Sequence, residues 1–373
     1  MNTLIISGDE GIAILLLRYL SLHGSEAHIV SVWPSSGASG FSRYCKSYQS
    51  YLVPKSLQQQ EEFIRFINEY CDQKEIKTIL AAGLLGTFIL SKIKDRLDSP
   101  IKYLMPTADQ IRDLHNKWLF YNLLNDIGIP TPKTMLLENV DQANLSAIDF
   151  PVILKPLTLE NGKGVQRVTS SQEVEAYLSQ SQPSNRSPLL IQEYIPGFDV
   201  VFGFVAKDGE IVAWTMLQRM PDFIKFFRDD TLLEFGRRIV AACNYTGAAN
   251  FDIRVDSRTN HIYFLEFNPR LWSSTSSSIY YGVDFIKVGI LLAQGKDLPK
   301  DLKTSVHETQ EIPYHQPPKF LKGMLLGKYK FQGIKKDMAW QAVFDPLPSL
   351  QEILWSRFGL KKPHNSTLLE EID

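Results

Sequence analysis

The chain has 373 residues, 44% of them hydrophobic and 22% charged, which is the make-up of a globular protein too long for one small core. Its 40 Lys and Arg against 41 Asp and Glu leave a formal net charge of -1, so no global field draws it to nucleic acid or to an anionic membrane. Cys45, Cys71 and Cys243 are far apart and odd in number, which excludes a disulfide framework or a zinc spacing and suits a reducing compartment.

From the N-terminus, residues 3–7 (TLIIS) read as a buried strand, 11–22 as a helix, 27–32 as a strand, 60–73 as a helix and 78–82 as a strand. This alternation predicts a parallel sheet with right-handed crossovers. The apolar run 12–17 is too short to span a bilayer, and no basic leader precedes it, so the expectation is a cytoplasmic protein without membrane or nucleic-acid partners. The turn Ser7-Gly8-Asp9-Glu10-Gly11 invites a dinucleotide reading. It lacks the G-x-G-x-x-G spacing, however, and its two acids would repel a pyrophosphate, which speaks against a dehydrogenase.

A second unit begins near Met105. Thr107 with Gln110 forms a capping box, and Ile111, Leu114, Trp118, Tyr121 and Leu124 predict one helix that runs until Gly128 and Pro130. Residues 151–156 read as a strand, Ser170 with Glu173 as a helix start, 179–188 as a surface loop and 189–195 as a strand ended by Pro196-Gly197. Residues 200–206 and 211–216 read as a hairpin around 207–210. From Pro313 onward, Pro317, Pro318, Pro346 and Pro348 suggest an irregular arm closed by a helix near 350–358.

The densest signal lies in residues 248–270. Two apolar runs, AANFDIRVD and IYFLEFN, flank the segment 257–261 in a hairpin pattern. Symmetric closure about Thr259 sets Asp252 opposite Glu266 and Asn250 opposite Asn268. It pairs Phe251 with Phe267, Ile253 with Leu265 and Val255 with Tyr263 on an apolar face fit for a core. Asp252, Glu266 and Asn268 then converge, and like charges that close repel unless a cation lies between them. Hard oxygen donors with room for water and phosphate suit magnesium. The alternative is the polar outer face of a surface hairpin.

Three lysines precede this hairpin. In PVILKP, alternation sets Val152 and Leu154 on one face and Lys155 on the other; a buried lysine keeps its proton beside phosphates and loses it alone. Lys117 lies on the helix after Thr107, where Asp113 four residues earlier offers a helical ion pair instead. Lys163 sits in Glu160-Asn161-Gly162-Lys163-Gly164. Gly162 and Gly164 free the backbone to approach a triphosphate, and the loop can close as a lid. Gly164 stands where a Walker loop needs Ser or Thr, and Asn-Gly serves equally as a hairpin turn. In the stretch Gln192-Glu193-Tyr194-Ile195-Pro196-Gly197-Phe198-Asp199, strand-edge backbone can hold an adenine edge and Asp199 can accept from ribose hydroxyls. Taken alone, it is a strand and a turn.

In order, Lys117, Lys155, the loop 162–164, QEYIPGFD and Asp252 with EFNPR resemble the ATP-grasp superfamily, particularly its carboxylate-amine ligases, over about residues 105–295. The resemblance implies an α/β and α+β architecture. A parallel-sheet, Rossmann-like pre-ATP-grasp domain would occupy 1–104, and a two-subdomain ATP-grasp fold 105–300, divided into 105–188 with the lid loop and 189–300 with the metal hairpin. A C-terminal arm would occupy 301–373. ATP would lie between the subdomains, with Lys117, Lys155, Gly162, Lys163 and Gly164 at its phosphates, Glu193, Tyr194 and Ile195 along the adenine, and Asp199 at the ribose. Asp252, Glu266 and Asn268 would hold two magnesium ions, for which manganese can substitute.

By the same resemblance Arg270 of EFNPR, acting with Lys155, would face the reacting carboxylate, since its fixed fork suits an acyl phosphate and an oxyanion. Arg254 would share the face of Asp252 and assist with substrate, a surface role being the alternative. Ser273 and Ser274, after Leu271-Trp272, would line the acceptor pocket. The implied reaction phosphorylates a carboxylate at the expense of ATP and then lets an amine displace the phosphate. An amino acid, a peptide or a small natural-product acid fits as substrate, and a homodimer is compatible with it. ENGKG departs from the family's longer run of small residues by setting Glu160 in the lid. Two other readings remain: a kinase that phosphorylates a small molecule without an amine, and a nucleotide-binding protein without turnover. The second would have no need of intact Lys155, Asp252, Glu266, Asn268 and Arg270, which are costly to bury.

Overall fold

The computed structural model describes residues 2–32, 37–98, 101–137, 149–157, 162, 164–180, 188–313, 341, 343–348 and 350–351. Lys163, residues 181–187 of the expected surface loop and the expected helix beyond 351 lie outside the described residues.

The first elements are β1 (Asn2–Ser7), α1 (Glu10–Leu22), β2 (Glu26–Ser31), β3 (Cys45–Ser50), α2 (Leu57–Gln73), β4 (Ile76–Ala82), α3 (Gly83–Ile93) and β5 (Ile101–Lys102). Their strands form a parallel sheet in the order β3-β2-β1-β4-β5. Leu4, Ile5, Ile6, Ile29, Val30, Ile79 and Leu80 are wholly buried, as a sheet covered on both faces requires. Its own acids fill the turn after β1. Asp9 caps α1 by accepting from the Ile12 N–H at 2.9 Å, and Glu10 accepts from the Ser39 N–H at 2.7 Å; two carboxylates occupy the place a pyrophosphate would need.

The expected capping box of Thr107 and Gln110 opens α4 (Ala108–His115). The single helix expected to reach Gly128 is instead broken at Asn116. Its ψ of 112° ends α4, and its side chain caps α5 (Lys117–Asp126), an amide competing with the helix ladder for backbone donors. Lys117 therefore opens a helix, and Asp113 pairs with Arg112 at 3.0 Å rather than with Lys117.

Next come β6 (Thr134–Leu137), β7 (Val152–Pro156), β8 (Gln166–Val168), α6 (Ser171–Gln180) and β9 (Leu189–Glu193). The four strands make an antiparallel sheet in the order β6-β9-β7-β8. It covers a small core of Leu137, Val152, Leu154, Val168, Val174, Leu189 and Ile191.

The remaining elements are β10 (Gly197–Lys207), β11 (Glu210–Arg219), β12 (Phe223–Phe227), α7 (Asp230–Ala242), β13 (Gly247–Asp256), β14 (Ile262–Asn268), α8 (Thr275–Tyr281), α9 (Phe285–Ala293) and β15 (Gln310–Pro313). Six antiparallel strands lie in the order β14-β13-β10-β11-β12-β15. The expected hairpin is longer than its apolar runs and turns on Asp208 (φ 51°) and Gly209 (φ 81°), the left-handed pair that a tight two-residue turn needs. One face of this sheet is aromatic: Phe202, Phe204, Phe251, Phe264 and Phe267 are buried, with Phe251 and Phe267 edge to face at 4.9 Å. That core continues without a break to Leu16 and Leu20 of α1 and to Tyr103. The polar face opposite carries the candidate site. Among the described residues no helix is long and apolar enough to cross a membrane.

Candidate active site

Residues 257–261 join β13 to β14, and Asp252 stands opposite Glu266, Asn250 opposite Asn268 and Phe251 opposite Phe267. Beyond Asp252 the register slips by one. Ile253 pairs with Phe264, Arg254 with Tyr263 and Val255 with Ile262, which replaces the Ile253–Leu265 and Val255–Tyr263 pairs that symmetric closure predicts. Leu265 is the extra residue of a β-bulge, a device that re-aims side chains. Leu265 lines the cleft beside Glu266, while the larger Phe264 is wholly buried in the core.

Asp252 Oδ1 accepts from Asn250 Nδ2 at 3.0 Å, and its Oδ2 accepts from Asn268 Nδ2 at 2.9 Å. Burial, with repulsion from Glu266 added, pushes the Asp252 carboxyl up to about 6. Among the described residues no group of three or more His, Cys, Asp and Glu could hold a metal. The two carboxylates and the Asn268 carboxamide nevertheless fit magnesium: they are hard oxygen donors, they crowd like charge that a divalent cation would relieve, and they leave coordination positions for water or phosphate.

Lys117 and Lys155 lie behind these carboxylates, only 4% and 3% exposed. Lys117 Nζ stands 3.7 Å from Glu266 Oε1 and donates to the Leu157 carbonyl at 3.3 Å. Burial pushes the Lys155 ammonium down to about 8, against the pull of Glu266 and Asp252 and with the help of Lys117. Two buried cations thus stand behind two carboxylates that line the cleft. Gly162 (φ 69°) lines the cleft, and Gly164 (φ 68°) accepts from the Tyr177 hydroxyl through its carbonyl at 2.8 Å; both backbones are left-handed, which glycine alone adopts freely.

Glu193, Tyr194 and Ile195 do not line the cleft; the Glu193 N–H donates to the Lys133 carbonyl at 2.8 Å, and the Arg167 guanidinium lies 4.1 Å above the Tyr194 ring. Arg254, expected with the substrate group, is held by two neighbours. Its Nε donates to the Ile195 carbonyl at 2.9 Å and its Nη1 pairs with Asp199 at 2.8 Å; Asp199 lines the cleft and Arg254 does not. Along β13 the alternation is unbroken, with Val201 opposite Asp252 and Asp199 opposite Arg254 on β10, so Asp252 and Arg254 share a face and Arg254 is turned to the Asp199 end of it.

The cleft itself has a volume of about 820 Å³ and brings Asp252, Glu266, Asn268, Arg270, Ser273 and Ser274 together. Arg270 reaches the Asn268 Oδ1 and the Leu271 carbonyl, each at 3.4 Å. Two lining arginines escaped the sequence reading. Arg219 donates to the hydroxyls of Ser273 at 3.2 Å and Ser274 at 3.4 Å; its only signal is a charge closing the apolar strand EIVAWTMLQR. Arg18 comes from α1 in the first unit and pairs with the buried Asp345 at 3.2 Å, a contact that no local pattern announces.

The ATP binding domain of the carbamoyl-phosphate synthase L chain matches residues 227–301, and the RimK-like ATP-grasp domain matches residues 114–213. The carbamoyl phosphate synthase large chain of Thermoanaerobacter pseudethanolicus is 26% identical over 268 residues, 66% of this chain and 24% of that protein. The chain therefore spans about a quarter of that relative, and 12% of the multifunctional protein pyr-3 of Neurospora crassa. Two solved structures share the fold. One is the biotin carboxylase domain dimer of Hydrogenobacter thermophilus 2-oxoglutarate carboxylase with MgADP, ADP and bicarbonate (TM-score 0.61, 17% identity, 81% of this chain and 72% of that one). The other is an L-amino acid ligase from Bacillus licheniformis (TM-score 0.58, 14% identity, 78% and 73%).

Proposed function

We propose, from the premise that the chain belongs to the ATP-grasp superfamily, that it is an ATP- and magnesium-dependent ligase joining a carboxylate to an amine through an acyl phosphate. The observation that carries this reading is the facing of Asp252 and Glu266 across β13 and β14, with Lys117 Nζ 3.7 Å from Glu266 and Lys155 buried beside them. Such a set matches a substrate that arrives as a metal-bound polyphosphate, because buried cations stand behind carboxylates that line the cleft. The L-amino acid ligase neighbour supports amide formation at the level of fold. An amino acid, a peptide or a small natural-product acid fits a cleft of about 820 Å³. Domain limits of 1–104, 105–300 and 301–373, and a homodimer, belong to the same reading.

In this mechanism Lys117 and Lys155 orient the polyphosphate and draw off the charge that develops on the transferring group. Bound magnesium supplies further neutralisation of phosphate charge, and Asp252, Glu266 and Asn268 are the residues to hold it. Arg270 steadies the carboxylate as it attacks the γ-phosphate, then the oxyanion formed when the amine adds and phosphate leaves. The lid around Gly162 and Gly164 keeps water from an intermediate that would hydrolyse.

Glu266→Gln tests the reading. The expected result is a protein that melts within a few degrees of the wild type and has lost magnesium-dependent ADP release with paired acids and amines. Retained ADP release would remove Glu266 as a ligand and the reading with it.

A further inference from the structure

We infer that Arg219, with Ser273 and Ser274, binds a carboxylate of the substrates distinct from the one Arg270 faces. The inference rests on the ligase reading for its reaction but on separate residues for its site. Arg219 closes β11 at the rim of the cleft, and its guanidinium contacts the hydroxyls of Ser273 and Ser274. Among the described residues no carboxylate forms an ion pair with it, whereas Arg18, Arg254 and Arg258 each have one. It lines the same cleft as Asp252 and Glu266.

The wall around it consists of donors. Ser274 is 3% exposed and Trp272 4% exposed, and both line the cleft. The buried indole N–H of Trp272 meets no acceptor among the described residues. Arg270 is engaged with Asn268 on the neighbouring strand end. A guanidinium fork backed by two hydroxyls on one wall suits a planar, acceptor-only anion such as a carboxylate. That group is carried either by the amine substrate, as the free carboxylate of an amino acid, or by a second acid group on a dicarboxylic substrate.

The test measures equilibrium binding by calorimetry to the full chain with magnesium and a non-hydrolysable ATP analogue. The probes are the common L-amino acids against their carboxamides, and succinate against monomethyl succinate. In the wild type at least one carboxylate form should bind about tenfold or more tightly than its neutral counterpart. Arg219→Ala should abolish that preference and Arg219→Lys should keep part of it. A preference among the amino acids assigns the group to the amine substrate, and one for succinate assigns it to the acid. No carboxylate preference in the wild type, or the same preference in Arg219→Ala, overturns the assignment. ADP release from paired acids and amines is followed separately: its absence in the wild type overturns the ligase reading, while the binding preference alone decides Arg219.

Discussion

Arg270 and Arg254 end in the same fork, yet neighbours give them different work. Arg254 spends both of its contacts on Ile195 and Asp199, so its effect is to hold the strand end in place. Arg270 lines the cleft and reaches Asn268 and Leu271 at 3.4 Å. Arg270→Ala should therefore lower kcat by about 10²- to 10³-fold, the loss typical of an oxyanion donor, with little change in the KM for ATP; steady-state kinetics that showed the reverse would put Arg270 outside acyl transfer. The burial of Lys155 was legible from PVILKP because its neighbours Val152 and Leu154 are buried in a core. Arg219 was not, because a single charge at a strand end looks the same whether it meets solvent or a substrate.

Among the elements, the hairpin of β13 and β14 illustrates how far alternation reaches. Period two put Asp252, Glu266 and Asn268 on the correct face, since an even register near the site is enforced by the edge-to-face rings of Phe251 and Phe267. The bulge that displaces Leu265 depends on which ring fills the core, and a local pattern contains no such information. The loop has its own anchor: Asp256 accepts from Arg258 through its backbone N–H at 2.8 Å and through Nη2 at 2.7 Å. These bonds draw the Asp256 carboxyl down to about 2. A folded-state value below the unfolded one contributes stability above the ordinary range near pH 4, and the contribution fades as pH falls toward 2. Asp256→Asn should accordingly show a shallower fall in Tm than the wild type between pH 4 and 2.5, followed by circular dichroism. On β10, a Cβ at Gly203 would lie 2.0 Å from the Trp272 ring. Gly203→Ala should thus cost about 1–3 kcal/mol by overpacking, read as a lower urea midpoint, and should disturb the Ser273–Ser274 wall.

Across the molecule, the units are stitched by buried polar contacts as well as by the shared core. Tyr19 of α1 donates to Asp284 at 2.9 Å, and Tyr103 donates to the Phe285 carbonyl at 2.9 Å. From the C-terminal residues, Asp345 is 1% exposed and accepts from the Ser42 hydroxyl at 2.8 Å, the Arg43 N–H at 2.9 Å and Arg18 Nε at 3.2 Å. Gln341 donates to the Arg18 carbonyl at 2.8 Å and lines the cleft. Asp345→Ala strips three donors of their acceptor and should cost about 1–3 kcal/mol. Urea unfolding should register the loss, and hydrogen exchange should show weaker protection of residues 341–351 and of α1. Unchanged exchange would mean that the C-terminal residues are held by other contacts.

The alternating strands and helices, the converging acids of the hairpin, the buried lysine of β7 and their order along the chain are local or periodic features, and the amino-acid sequence alone determines them. Strand β3 (CKSYQS) is too polar, and helix α3 (GLLGTFILSKI) too uniformly buried, for either to show a period, so both needed their neighbours to be seen. The register slip at Leu265, the helix break that sends Lys117 to Glu266, and the arrival of Arg18 and Arg219 at the cleft were settled only by folding. Each depends on contacts between residues far apart in the chain, where side-chain volume and charge are matched in space and leave no periodic trace.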